Sequence, residues 1–207
     1  MKRNSWHVFM KLAVVTAGIV LPAFMAGCTQ TEKAGEFTVE RSSVDGLPQV
    51  TATSTSEAEV KVEAIDYSTR SIALAGSDGK THFFHVSGDV RNFNQIKKDD
   101  VVKVKYEEEL NVSVRKTDEP LSATELVTLE SAPLGSKPGL VAVRTVESLA
   151  NVTSIDYQTR KVTLKMADGS VVHVTVSSKL PNFDKVQVGD QVIFDYTESL
   201  TINVAGG

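Results

Sequence analysis

Ile65-Asp66-Tyr67-Ser68-Thr69-Arg70 returns as Ile155-Asp156-Tyr157-Gln158-Thr159-Arg160, ninety positions later. The same offset runs on without a gap. Leu74 falls on Leu164, Asp78-Gly79 on Asp168-Gly169, Val86-Ser87 on Val176-Ser177, and Asn92-Phe93 on Asn182-Phe183. Asp100, Tyr106, Glu108, Leu110 and Val114 fall on Asp190, Tyr196, Glu198, Leu200 and Val204. Upstream, Ala52, Thr55 and Glu57 fall on Ala142, Thr145 and Glu147. A gapless match of this length marks a supersecondary unit used twice. The copies span 49–115 and 139–207. Each is near the lower size limit for folding alone, so the two are expected to pack together or share an edge.

Each copy reads as all-β. Residues 60–65 and 150–155 alternate and carry Val and Ile. Asp66–Arg70 and Asp156–Arg160 are turns, and Ile72–Leu74 and Val162–Leu164 open the next strand. Asp78-Gly79 and Asp168-Gly169 are hairpin signals, because Gly takes positive φ without penalty. His82–Val86 and Val171–Val176 follow as third strands. Asn92-Phe93 and Asn182-Phe183 then suggest a short helical turn, with Asn as N-cap and Phe plugging a core end. Gly189-Asp190 is a tight turn before Val192–Tyr196; Asp99 holds the glycine position in the first copy, and Asp tolerates left-handed φ. Leu110–Val114 and Leu200–Val204 end the copies. Five or six short strands with these turns predict two tandem small closed β-barrels, OB-like or SH3-like.

Lys116 to Pro138 is polar, carries three prolines and reads as a linker (116–138) in which Ala123–Ser131 could form a short helix. Residues 28–48 are rich in Thr, Ser, Glu and Gly without a sustained apolar period, as in a flexible tether. Ahead of them, Met1-Lys2-Arg3 and Lys11 precede an apolar run, Leu12 to Phe24, that ends in Met25-Ala26-Gly27-Cys28. A basic start, a short apolar centre and small residues before a cut describe a signal peptide over residues 1–27. The centre is shorter than the ~20 residues of an ordinary spanning helix. Cys28 is the only cysteine, so no disulfide supports the fold.

The Ala26-Gly27-Cys28 ending resembles the bacterial lipoprotein lipobox, with Met25 in place of the usual Leu. The resemblance implies cleavage before Cys28 and lipid on its sulfur, hence a membrane anchor. Thr29 rather than Asp follows Cys28, which in Gram-negative lipoproteins favours the outer membrane, facing the periplasm. Of 22 basic residues the signal removes Lys2, Arg3 and Lys11, leaving 19 against 26 acidic ones and a mature charge of −7. That balance argues against nucleic acid as a partner.

Six repeated residues are candidates for an interaction surface. Arg70 and Arg160 recur at the turns with Asp66 and Asp156, either as a ligand-binding turn or as an Asx turn with Arg covering the barrel. Tyr106 with Glu108, and Tyr196 with Glu198, form either an exposed recognition edge or a barrel-closing Tyr beside a hairpin Glu. No G-x-S-x-G, H-E-x-x-H, P-loop or EF-hand pattern is present, so no enzyme is expected.

The strand order resembles the small periplasmic copper chaperone of copper/silver efflux systems, an OB-type barrel. That resemblance implies a site of one His, two Met and a Trp. Met166, His82 and His173 stand near ligand positions, but no copy contains a Trp, so neither a metal nor another cofactor is expected. His82 and His85, three apart on a strand, point to opposite faces, and His7 leaves with the signal. The chain also resembles tandem-module exported proteins of proteobacteria with no assigned activity. The resulting expectation is a non-enzymatic binding or interaction module of the envelope, with a protein or polymer partner. The alternative is a periplasmic copper- or silver-binding protein.

Overall fold

A computed structural model describes residues 31–75 and 80–205, with side chains from residue 35 onward. The signal segment, Cys28 and the Asp78-Gly79 hairpin lie outside the described residues. Among the described residues ten strands follow one another: β1 (Thr31–Val44), β2 (Leu47–Asp66), β3 (Ser71–Ala75), β4 (Thr81–His85), β5 (Val101–Arg115), β6 (Ala123–Ser131), β7 (Gly139–Asp156), β8 (Lys161–Met166), β9 (Val171–Thr175) and β10 (Gln191–Ala205). Single 3-10 turns at Phe93–Gln95 and Phe183–Lys185 precede β5 and β10. Among the described residues, no helix is long and apolar enough to cross a membrane.

The strands form one antiparallel sheet in the order β4-β3-β2-β5-β10-β7-β8-β9, with β1 on β2 and β6 on β7. The sheet is open, so the expected pair of closed barrels is corrected. The reason lies at Glu107-Glu108-Glu109 and Thr197-Glu198-Ser199. A closed barrel needs a turn or sharp bend there, yet the first triplet offers no Gly, Pro, Asn, Asp or Ser and the second only Ser199. The chain runs straight through, and the two strands expected on either side of Glu198 are one strand of fifteen residues. β5 and β10 then pair with each other along their whole length, using edges a barrel would need for its own closure.

Two more expectations change. Most of the supposed tether is β1, paired with β2 from Thr31↔Glu59 to Val44↔Leu47. The supposed linker helix is β6, paired with β7 from Ala123↔Ser148 to Ser131↔Leu140. Thr124, Val127 and Thr128 are β-branched and suit an extended chain better than a helix. The two registers are copies of one another: Thr38 faces Thr53 as Thr128 faces Val143, ninety positions on. The repeated unit thus begins at β1 and β6, earlier than 49 and 139.

The pairing of β5 with β10 is symmetric about one point. Glu108 faces Glu198, its own counterpart, while Tyr106 faces Leu200 and Tyr196 faces Leu110. A pseudo-two-fold axis therefore passes between Glu108 and Glu198. Side chains alternate across a strand, so Val102, Val104, Tyr106, Glu108, Leu110, Val112 and Val114 share one face of β5, with Lys103, Lys105, Glu107 and Glu109 on the other. The apolar face builds two cores. One gathers Val60, Val62, Ile72, Leu74, Phe93, Ile96 and Val102 of the first copy, and it includes Val204 from the second, with Ile202 packed on it. The other gathers Val152, Val162, Leu164, Met166, Phe183, Val186 and Phe194, with Val112 and Val114 of the first copy packed on it. Each core is completed by the other copy's last strand.

Candidate functional site

The recurring Ile-Asp-Tyr-x-Thr-Arg turns are structural locks. Asp66 accepts from the Ser68 and Thr69 amides at 2.9 and 3.2 Å, and Asp156 from those of Gln158 and Thr159 at 2.9 and 3.1 Å. Hydrogen bonds from Ser68, then Thr69, pull the Asp66 carboxyl down to about 2, and those from Thr159 lower Asp156. The Tyr67 hydroxyl donates to the Ile96 carbonyl at 2.6 Å, and Tyr157 to that of Val186 at 2.7 Å. Both rings meet a plug phenylalanine edge-on, Phe93 at 6.0 Å and Phe183 at 5.8 Å.

Arg70 and Arg160 end these turns in left-handed backbone, φ 52 and 55. That conformation costs an L-residue about 1–2 kcal/mol, which the side chains offset. Arg70 donates to the carbonyls of Val86, Ser87 and Val90 and lies 4.7 Å over the Phe93 ring. Arg160 donates to those of Val176 and Ser177 and lies 4.4 Å over Phe183. The guanidinium groups are thus used within the fold, as in the Asx-turn reading. The side-chain N-caps expected at Asn92 and Asn182 are not made; both residues adopt left-handed φ instead. Asp99 takes φ 72 where Gly189 takes φ 97, as the turn chemistry required.

Tyr106, Glu108, Tyr196 and Glu198 meet on the pseudo-axis, in mid-strand rather than in hairpins or at an exposed edge. Tyr196 Oη lies 2.5 Å from Glu108 Oε1 and 3.0 Å from Glu198 Oε2, and Tyr106 Oη lies 3.2 Å from Glu198 Oε2. Each phenol has one proton to donate. The pairing that serves both carboxylates sends Tyr196 to Glu108 and Tyr106 to Glu198, each across the axis. Burial raises both phenols well above the ordinary tyrosine range, followed at Tyr106 by the charges of Glu108 and Glu198 and at Tyr196 by the hydrogen bond to Glu108. They therefore stay protonated donors.

Arg144 approaches the cluster from one side only. Its Nε donates to Glu125 at 2.7 Å and its Nη1 to Glu198 at 3.4 Å. Ser54 and Gly35 hold the corresponding places in the first copy. Sequence reasoning missed Arg144 because the repeat places no arginine opposite it.

Two apolar cavities flank this polar island, related by the same pseudo-axis. The one in the second core, about 190 Å³, is lined by Val162, Leu164 and Phe194 together with Val50, Leu110 and Val112 of the first copy. The one in the first core, about 580 Å³, is lined by Ile72, Leu74, Val104 and Tyr106 together with Leu140, Leu200 and Ile202 of the second. Val104 stands where the other half has Phe194.

The weak metal candidates do not converge. Met166 is buried in the second core, His173 points to the opposite face of that hairpin beside the Thr163 hydroxyl at 3.1 Å, and His82 lies on β4 of the first copy. No group of three His, Cys, Asp or Glu that could hold a metal ion occurs among the described residues. No family model, curated protein or solved structure matches the chain.

Proposed function

We propose that the chain is a lipid-anchored, non-enzymatic interaction module of the bacterial cell envelope. Cys28 carries the lipid at the outer membrane, and the folded sheet faces the periplasm and binds an envelope protein or polymer. Support comes from one observation above the rest. β6 is an edge strand with apolar side chains exposed on both faces, Leu126 at 64%, Val127 at 56% and Leu129 at 56%. Edge strands of soluble proteins are usually short, charged or covered, since their free amides and carbonyls pair readily with another chain. An uncovered apolar edge suits a partner that adds a strand. On β1, at the equivalent edge, Phe37 is exposed as well.

In-cell crosslinking and pull-down of the tagged chain tests the reading. Wild type should enrich an envelope partner from the membrane fraction. Leu126→Lys with Leu129→Lys should keep the membrane fraction and lose the partner, whereas Cys28→Ala should leave the membrane fraction. Unchanged enrichment by the lysine variant, or a Cys28→Ala protein that stays in the membrane fraction, would contradict the proposal.

A further inference from the structure

The two cavities differ between the halves, about 580 against about 190 Å³. We infer that the larger is a binding site for a single uncharged hydrocarbon chain, supplied by an amphiphile whose polar end stays at the rim. This is independent of the anchor on Cys28 and of the β6 edge.

Its volume, about 580 Å³, falls within the ~300–1,000 Å³ of small-molecule pockets. Its walls are apolar, chiefly Ile72, Leu74, Val104, Leu200 and Ile202 with the ring of Phe84, so an ionised group inside would be desolvated without a partner. The polar side chains among its lining are few, His85, Ser87 and Tyr106, and the Tyr106 hydroxyl is already committed to Glu198. The carboxylates beside Tyr106 disfavour an anionic end there.

The second half shows what this position takes. There Phe194 is buried, and the cavity it lines is about 190 Å³. The first half has Val104 at that position, and the space is open. The first half carries its ring at Phe84 instead, where the second has Val174, and the space beside Val104 is still the larger of the two.

The test uses the full-length protein and the uncharged fluorophore N-phenyl-1-naphthylamine, with 1-dodecanol as competitor. Wild type should bind one equivalent and release it to dodecanol. Val104→Phe, which copies the second half, should bind at least tenfold more weakly. Phe194→Val, which copies the first half, should bind a second equivalent. Circular dichroism and the thermal midpoint verify that each variant is folded. If one variant fails to fold, the other decides. No saturable binding by wild type would overturn the inference. So would wild-type-like binding by folded Val104→Phe, or a single equivalent bound by folded Phe194→Val.

Discussion

Arg70 over Phe93 and Arg160 over Phe183 repeat one arrangement to within a few tenths of an ångström, 4.7 against 4.4 Å. Val104 and Phe194, at one equivalent position, differ by an aromatic ring. Arg144 reaches Glu198 where the first half has only Ser54. The residues that shape turns are thus held in common, and those that fill or charge the inner face have diverged. A turn lock tolerates little change, because its Asp, Tyr and Arg each hold a backbone amide or carbonyl of the turn or of the loop it meets. The inner face between two copies can change once per pair, since a pseudo-symmetric site needs only one version of each contact.

The most severe way to break this comparison is to remove a plug. Phe93→Ala and Phe183→Ala should each cost about 3–5 kcal/mol, as buried aromatic truncations do. Each core borrows a strand from the other copy, so chemical denaturation should remain one transition in both variants. Two separated transitions would show halves that fold independently.

The axis gives the next effect. Tyr196→Phe removes a buried donor to Glu108 and should cost about 1.5–3 kcal/mol. Tyr106→Phe, at a more exposed and longer contact, should cost less. The folded state holds both phenolic protons more tightly than the unfolded chain, whose tyrosines titrate near pH ~10. Their contribution is full below that pH and is lost as pH rises above it. Denaturation midpoints measured from pH ~8 to ~11 should fall at the alkaline end, and less steeply in Tyr196→Phe.

The arginine locks come third. Arg70→Ala and Arg160→Ala lose the cation–π contact and carbonyl hydrogen bonds while keeping left-handed backbone. Each should cost about 1–3 kcal/mol. Arg→Gly at either site should be about 1 kcal/mol more stable than Arg→Ala, because Gly adopts that φ freely. Equal stabilities would mean that the turn relaxes.

The smallest effect sharpens the comparison of the two Asx turns. Asp66 accepts from the Ser68 hydroxyl, where the second copy has Gln158 and Asp156 accepts from the Thr159 hydroxyl instead. Carboxyl titration by NMR should find Asp66 at about 2 and Asp156 also below the ordinary Asp range. The contribution of such a group is present above its unfolded value and lost as pH falls through the folded one. An ordinary midpoint at Asp66 would mean that the turn is frayed in solution.

Much of this architecture was legible in the sequence. The ninety-residue offset aligned both turns, both plugs and both axis pairs, and alternation marked the strands. The four axis residues were singled out by recurrence alone, and the structure brings them into one cluster. β1 was hidden by its Thr, Ser and Glu content, although Thr38 and Glu40 recur as Thr128 and Glu130 on β6. An edge strand exposed to water needs little apolar content, so polarity was a poor guide there. Openness was hidden for another reason. Alternation tells which face of β5 is buried but not which strand lies beside it, and both copies of one sequence satisfy the same pattern. The larger cavity was likewise invisible, because Val104 reads as an ordinary strand residue until Phe194 is seen in its counterpart's core.

The central claim is that neither half is a folded unit without the other. Expressing residues 31–117 alone and measuring mass by light scattering together with β-structure by circular dichroism tests it most directly. Either an unfolded monomer or a folded dimer is expected, with β5 pairing on itself about Glu108 as it pairs with β10 here. A folded monomer with a cooperative thermal transition would contradict it.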